Sequence, residues 1–175
     1  MLKPLPSFEF LDHMFEISTK SPSGLIWKNP TSTKLKQGDV AGTKNKNGYW
    51  NVGIKIKNKT TLFAVHRIIY FLNTKEDISN LYIDHINNNP NDNTITNLRP
   101  ATNQQNSCNK QKTKHFSSKY KGVSWDKKQN NWRAQICNNY KKIYLGNFKT
   151  ELEAASAYDN AAKTLHNSFA LVNND

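Results

Sequence analysis

Residues 81–108 read LYIDHINNNPNDNTITNLRPATNQQNSC, and the order of residue types in this stretch decides the fold of the N-terminal part. The run Leu81 to Ile86 predicts a buried strand, and the polar segment Asn87 to Asn93, with Pro90 inside it, a loop. A second short strand is expected from Ile95 to Arg99, ended by Pro100. Thr102 and Gln105 make a Thr-x-x-Gln capping box, which predicts a helix running to about Lys112. Strand, loop, strand, helix can hold one hard cation against a phosphate. Asp84 supplies a carboxylate oxygen and Asn106, in the first turns of the helix, an amide oxygen, leaving most of a magnesium shell to water and phosphate oxygens. His85, with an ordinary pKa near neutrality, is placed to take a proton from an attacking water. Asn97 is expected to hydrogen-bond across the loop and orient His85. Neighbouring strand residues point to opposite faces, so Asp84 and His85 are expected to need a twisted or bulged strand end to serve one site.

Upstream of this stretch, Tyr49, Asn51, Gly53, Lys55 and Lys57 alternate with Trp50, Val52, Ile54 and Ile56. That period of two predicts a half-buried strand, which Lys57-Asn58-Lys59 turns back into Thr61 to Val65 as a hairpin. Ile68, Ile69, Phe71 and Leu72 then read as a short helix packed on the hairpin. Residues 1–40 predict a short helix or turn, one strand near Leu25 to Lys28, and loop.

Asp84-His85-Ile86-Asn87, then Asn97-Leu98-Arg99, then Thr102 to Asn106 resemble the ββα-metal core of HNH endonucleases, above all the small phage and intron-encoded homing type. The hairpin from Tyr49 and Val65-His66-Arg67-Ile68 also resemble the segment preceding the catalytic motif in that family, so the likeness covers roughly residues 7–112. It implies that Asp84 and Asn106 bind one Mg2+ or Mn2+ per active site, that His85 is the general base and that Asn97 stabilises the loop. His66 is expected to be structural or to contact phosphate, and Arg67 and Arg99 to contact DNA, with Arg99 as a phosphate clamp. Nine of the 23 residues from Asn87 to Asn109 are asparagine, so asparagine spacing alone is weak. The weight lies in its coincidence with the Asp-His pair, the Asn-Leu-Arg strand and the capped helix.

Past the polar stretch Lys110 to Lys119 the pattern changes. Val123 and Trp125, then Trp132, Ala134 and Ile136, then Ile143 and Leu145 mark the apolar face of three short strands, and Thr150 and Glu153 cap a helix with Leu152, Ala155, Tyr158, Ala162 and Leu165 at helical spacing. Eight basic residues oppose one acid over 117–149, giving +7, whereas 150–175 sum to −3, so the positive potential belongs to the sheet. Alternation turns Arg133, Gln135, Cys137, Lys142 and Tyr144 outward, a face suited to a major groove: Arg and Gln pair with base edges while Lys neutralises phosphates. The motifs Tyr120-Lys121-Gly122-Val123, Trp132-Arg133-Ala134-Gln135-Ile136, Tyr144-Leu145-Gly146-Asn147-Phe148 and Glu153-Ala154-Ala155-x-Ala157-Tyr158-Asp159-x-Ala161-Ala162 resemble the Apetala-two/ethylene-response-factor DNA-binding domain over about residues 117–173. That resemblance implies groove contacts from Lys121, Ser124, Arg133, Gln135, Lys142 and Tyr144. Plant members usually carry Arg where this chain has Ser124 and Asp126, which removes the ground for inheriting their sequence specificity.

Composition narrows the classes. The 175 residues hold 25 Lys plus Arg against 13 Asp plus Glu, a net +12 that favours a polyanion. No apolar run approaches a membrane span, Glu9 and Asp12 interrupt any signal-peptide core, and Cys108 and Cys137 form no Cys-x-x-Cys, so neither zinc nor a disulfide scaffold is indicated. A reduced cytoplasmic location on DNA in the host cell is expected, without secretion or a membrane partner. The expected fold is α+β: an HNH module with its preceding hairpin over 1–112, a linker over 113–118, and a three-stranded antiparallel sheet packed on one helix over 119–175. The expected function is site-specific DNA endonuclease on double-stranded DNA, as monomer or weak dimer. A catalytically silent DNA-binding protein or transcriptional regulator is the alternative, and an RNA-binding module ranks third.

Overall fold

The structure, a computed structural model, describes residues 3–112 and 117–173. Its backbone divides into two compact units, Met1–Thr102 and Asn103–Asp175. Residues 113–116 of the expected linker lie outside the described residues.

In the first unit, α1 (Phe8–Met14) is capped by the Ser7 hydroxyl, which accepts from the Phe10 amide. It leads into a hairpin of β1 (Phe15–Ile17) and β2 (Leu25–Trp27). A sheet of β3 (Thr43–Lys44), β4 (Trp50–Ile56) and β5 (Lys59–Ala64) follows, in the order β3-β4-β5. The β4–β5 turn places Lys57 and Asn58 at φ 46° and 62°, the two positive values that a two-residue hairpin turn requires. Helix α2 (Val65–Thr74) starts directly after β5, earlier than its apolar run alone predicts. His66 and Arg67 therefore sit in its first turn and are buried. Val65, Ile68 and Ile69 pack with Leu11, Phe15, Leu25, Val52 and Ile54 into one core.

The two-stranded ladder of β6 (Tyr82–His85) and β7 (Leu98–Ala101) lies against α2. Ile95 to Asn97, expected to be strand, form a 3-10 turn, because the Asn97 side chain is committed to the preceding loop. Pro100 does not end the strand: it pairs with Ile83 inside β7, which a ladder of only two strands tolerates because each has a free edge.

In the second unit, α3 (Asn103–Cys108) is shorter than the helix expected to reach Lys112. A sheet in the order β10-β9-β8 is made of β8 (Val123–Asp126), β9 (Asn131–Asn138) and β10 (Lys141–Phe148). Helix α4 (Glu151–His166) covers one face, and both halves of the expected Thr150/Glu153 capping box are formed. Ala154, Ala155 and Ala162 bring it close enough to bury Val123, Ala134 and Ile136. Gly122 is obligatory here: its φ is +75°, and a Cβ would stand 1.9 Å from Tyr158 Cδ2. Leu145 is the extra residue of a bulge between Tyr144 and Gly146, and Ile143, expected inward, is exposed near the turn end of the edge strand.

Candidate functional site

Asp84 and His85 end β6, and both are buried. Their register with β7 is unbroken, Asp84 opposite Arg99 and His85 opposite Leu98, so of the expected twist or bulge at the strand end no bulge is present. Asp84 meets its cross-strand partner: Arg99 Nε and Nη2 both donate to Asp84 Oδ2, at 2.9 and 2.8 Å. The His85 ring packs edge-on to His66 at 4.9 Å and to Tyr49 at 5.8 Å between centroids.

The imidazole is oriented by a residue that spacing did not single out. His85 Nε2 lies 3.0 Å from Asn93 Oδ1, and Asn93 Nδ2 donates to the Ser23 carbonyl at 2.9 Å. Because the amide nitrogen is held by a carbonyl, the amide oxygen must face the ring. Nε2 then carries a hydrogen, and in the neutral tautomer that this selects the acceptor lone pair lies on Nδ1. The expected bond from Asn97 to His85 is corrected to Asn93. Asn97 instead clamps the loop: Oδ1 accepts the Asn87 amide at 3.0 Å, and Nδ2 donates to Asn87 Oδ1 and to the Asp92 carbonyl. Nothing in a loop so rich in asparagine distinguishes Asn93 beforehand. Its role depends on Ser23, 70 residues away in sequence.

His66 and Arg67, expected to be structural or to meet DNA, are both buried in the first turn of α2. Burial, then the neighbouring His85 and Arg67, push the His66 pKa down to about 3, which favours the neutral ring. Arg67 is buried, donates Nη2 to the Ile78 carbonyl at 3.2 Å, and has its pKa lowered by desolvation. Asn106 is half-buried on α3, in the second unit.

Among the described residues no three His, Cys, Asp or Glu side chains gather as a metal cage. A buried carboxylate that already holds a cation, the Arg99 guanidinium, fits a hard divalent ion that keeps water and phosphate oxygens in its shell.

On the second unit, cross-strand pairs Ser124–Arg133, Gln135–Tyr144 and Cys137–Lys142 line the sheet face away from α4. Lys142, Tyr144 and Cys137 are exposed. Arg133 is tied by Nη2 to Asp126 Oδ2, and Asp126 is itself held below the usual carboxylate range, first by the Gln129 amide. Lys121, expected at the groove, turns its ammonium back to donate to the carbonyls of Cys108 and Lys110, and burial pushes its pKa down to about 8. It stabilises the exit of α3 and does not present charge on the strand face.

Comparison with known proteins matches two separate stretches of the chain. An HNH endonuclease family model matches residues 63–108, and an AP2 domain model matches residues 118–168. An uncharacterized HNH endonuclease of Acanthamoeba polyphaga mimivirus is 41% identical over 110 residues, covering 62% of this chain and 56% of that protein. Protein 3.8 of Escherichia phage T7 is 35% identical over 91 residues, covering 51% of this chain and 73% of the phage protein. A solved structure described as DNA binding and cleavage by the HNH homing endonuclease I-HmuI superposes with a TM-score of 0.43 at 22% identity, over 58% of this chain and 54% of that one. This chain thus spans little more than half the length of the mimivirus relative. The chain carries an HNH endonuclease domain. Its C-terminal part carries an AP2 domain.

Proposed function

We propose that the protein is a homing-type, site-specific DNA endonuclease. Residues 1–112 act as the hydrolytic module, 113–118 as linker, and the sheet of 119–175 seats the enzyme on duplex DNA. The observation that carries the reading is the fixed imidazole: His85 is buried, held in one tautomer by Asn93, and next along the strand to a buried carboxylate. His85 Nδ1 takes a proton from the water that attacks phosphorus. Asp84 and Asn106 would hold one Mg2+ or Mn2+, which supplies charge stabilisation for the phosphorane-like transition state and the leaving oxygen. Arg99 pairs with a phosphate oxygen of the bound strand, and Asn97 keeps the loop from shifting His85. Lys142 neutralises phosphate, while Ser124, Arg133, Gln135 and Tyr144 meet the groove. One metal per chain gives one strand cut per monomer, so a nick unless two chains meet on DNA. The work is done on DNA inside the host cell. Among the described residues no helix is long and apolar enough to cross a membrane.

The test is conversion of supercoiled plasmid carrying phage or host target sequence to open-circle or linear form with Mg2+ or Mn2+. Wild type is expected to cut and His85→Ala to be slower by about 10²-fold or more. Equal rates sink the enzyme reading. Metal-independent shift of a specific duplex without any cleavage then supports a silent DNA-binding protein.

A further inference from the structure

We propose that Arg133 reads a guanine and that Asp126 is the positioning residue that aims it. The inference rests on the reading of the sheet as the part that seats the enzyme on duplex DNA, and it adds a base and a positioning residue to that reading. Asp126 ends β8 opposite Asn131, and Arg133 lies two residues further along β9. The two are diagonal neighbours on the face turned away from α4, a separation that a long side chain spans. Arg133 donates Nη2 to Asp126 Oδ2. Asp126 is itself held: its Oδ1 accepts the Lys128 amide at 3.0 Å and the Gln129 amide at 3.3 Å, so the carboxylate is part of the β8–β9 turn. That turn is tied to the third strand, since Asn147 Nδ2 donates to Gln129 Oε1 and Asn147 is the β10 partner of Arg133.

Exposure within the pair is uneven. The Asp126 side chain is 12% exposed and that of Arg133 43%, so the acid is mostly covered while the guanidinium still meets solvent. One Nη2 hydrogen goes to Asp126, and whichever of the two it is, one edge of the planar fork keeps two parallel hydrogens. In the major groove guanine presents N7 and O6 side by side, and no other base offers two adjacent acceptors there. A phosphate also offers two oxygens, and charge separates the cases. Asp126 offsets the charge of Arg133 and repels phosphate, so the pair gains little from neutralising the backbone. A half-open ion pair also adds little stability of its own. What it supplies is direction. Lys127 and Lys128, both exposed on the same turn, are left to meet phosphates.

The experiment selects duplexes with a randomised core on the full chain, with EDTA present so that nothing is cut, and sequences what is bound. Wild type is expected to enrich guanine at a fixed place in the site. Arg133→Ala is expected to lower that preference about ten-fold. Arg133→Lys, which keeps the charge and loses the fork, is expected to lower it about as far while binding random-sequence duplex as tightly as wild type. Asp126→Asn separates aiming from folding. Its guanine preference is expected to fall about three-fold, whereas its affinity for random duplex rises and the log-log salt slope steepens by about 1 as the released arginine turns to phosphate. If Asp126→Asn weakens both kinds of binding together, the acid is structural and the aiming is overturned. If it does not fold by circular dichroism, Arg133→Lys carries the test, and a guanine preference kept by that variant overturns the inference. Enrichment of sites in which no guanine depends on Arg133, or an equal loss on every duplex in Arg133→Ala, overturns the inference and leaves the sheet as the DNA seat. If wild type retains no duplex, the seating by the sheet fails and the inference with it.

Discussion

Asn93→Ala removes the residue that holds the imidazole without touching any group expected to meet DNA. One buried amide makes two bonds: its oxygen to His85 Nε2 at 3.0 Å, and its nitrogen to the Ser23 carbonyl at 2.9 Å. Asn93 is 6% exposed and His85 5%, so water does not freely replace what is lost. Each of the two bonds lost costs about 1–3 kcal/mol, which places the loss of stability at about 2–6 kcal/mol. The chemical loss is separate. A positioned general base contributes about 10²–10⁴-fold, and a ring free to rotate and to change tautomer forfeits part of that, so kcat is expected to fall about ten- to a hundred-fold at saturating DNA. KM for DNA should stay near the wild-type value, because Asn93 makes no contact with the proposed DNA-binding residues. The assay is single-turnover nicking of plasmid with excess enzyme, below the melting temperature of the variant, with the folded fraction measured in the same buffer. Asn93→Ser, which keeps an acceptor of shorter reach, should recover part of the rate. If Asn93→Ala, fully folded, cuts as fast as wild type while His85→Ala does not cut, the tautomer argument is wrong.

Gly122→Ala must force a Cβ into the Tyr158 ring, 1.9 Å from Cδ2, at a φ of +75°, so a loss of about 3 kcal/mol or more is expected in denaturant unfolding of the second unit. Stability should also fall in acid. His66 is held near pKa 3 when folded against an ordinary value of 6.5, so the unfolded chain binds a proton that the folded chain refuses. Its contribution is fully present above pH 6.5 and is lost as pH falls toward 3, amounting to several kcal/mol at the acid end; melting curves of His66→Gln should show a shallower acid slope than wild type. Lys142→Ala should weaken duplex binding at low salt and lower the log-log salt slope by about 1, whereas Lys121→Met should lower the melting temperature and leave that slope unchanged. The reverse pattern would return Lys121 to the DNA interface.

Periodicity was enough for the elements that bury one face. Val52 and Ile54 alternate inward in β4 as their period of two requires, and Ala155, Tyr158 and Ala162 face the sheet from α4 as their helical spacing requires. It was not enough where polar side chains compete with the backbone. Asn97 has strand neighbours, yet its amide is bonded to Asn87 and Asp92, and the segment closes into a 3-10 turn. Alternation likewise assigned charges to faces but not to partners. Lys121 is as basic as Lys142 in sequence, and only packing shows that one ammonium is taken up by carbonyls while the other stands in solvent.

What the amino-acid sequence determined by itself is the kind of protein: two small α+β modules, an Asp-His pair on a strand, and a basic sheet backed by an acidic-leaning helix. These follow from local spacing and charge, which a chain carries before it folds. Tertiary structure alone decided which of nine crowded asparagines holds the imidazole, that burial favours the neutral His66 ring, and that Arg99 is paired with Asp84. Each depends on groups brought together from distant parts of the chain and removed from water, and burial of that kind sets protonation states and ion pairs that no spacing encodes.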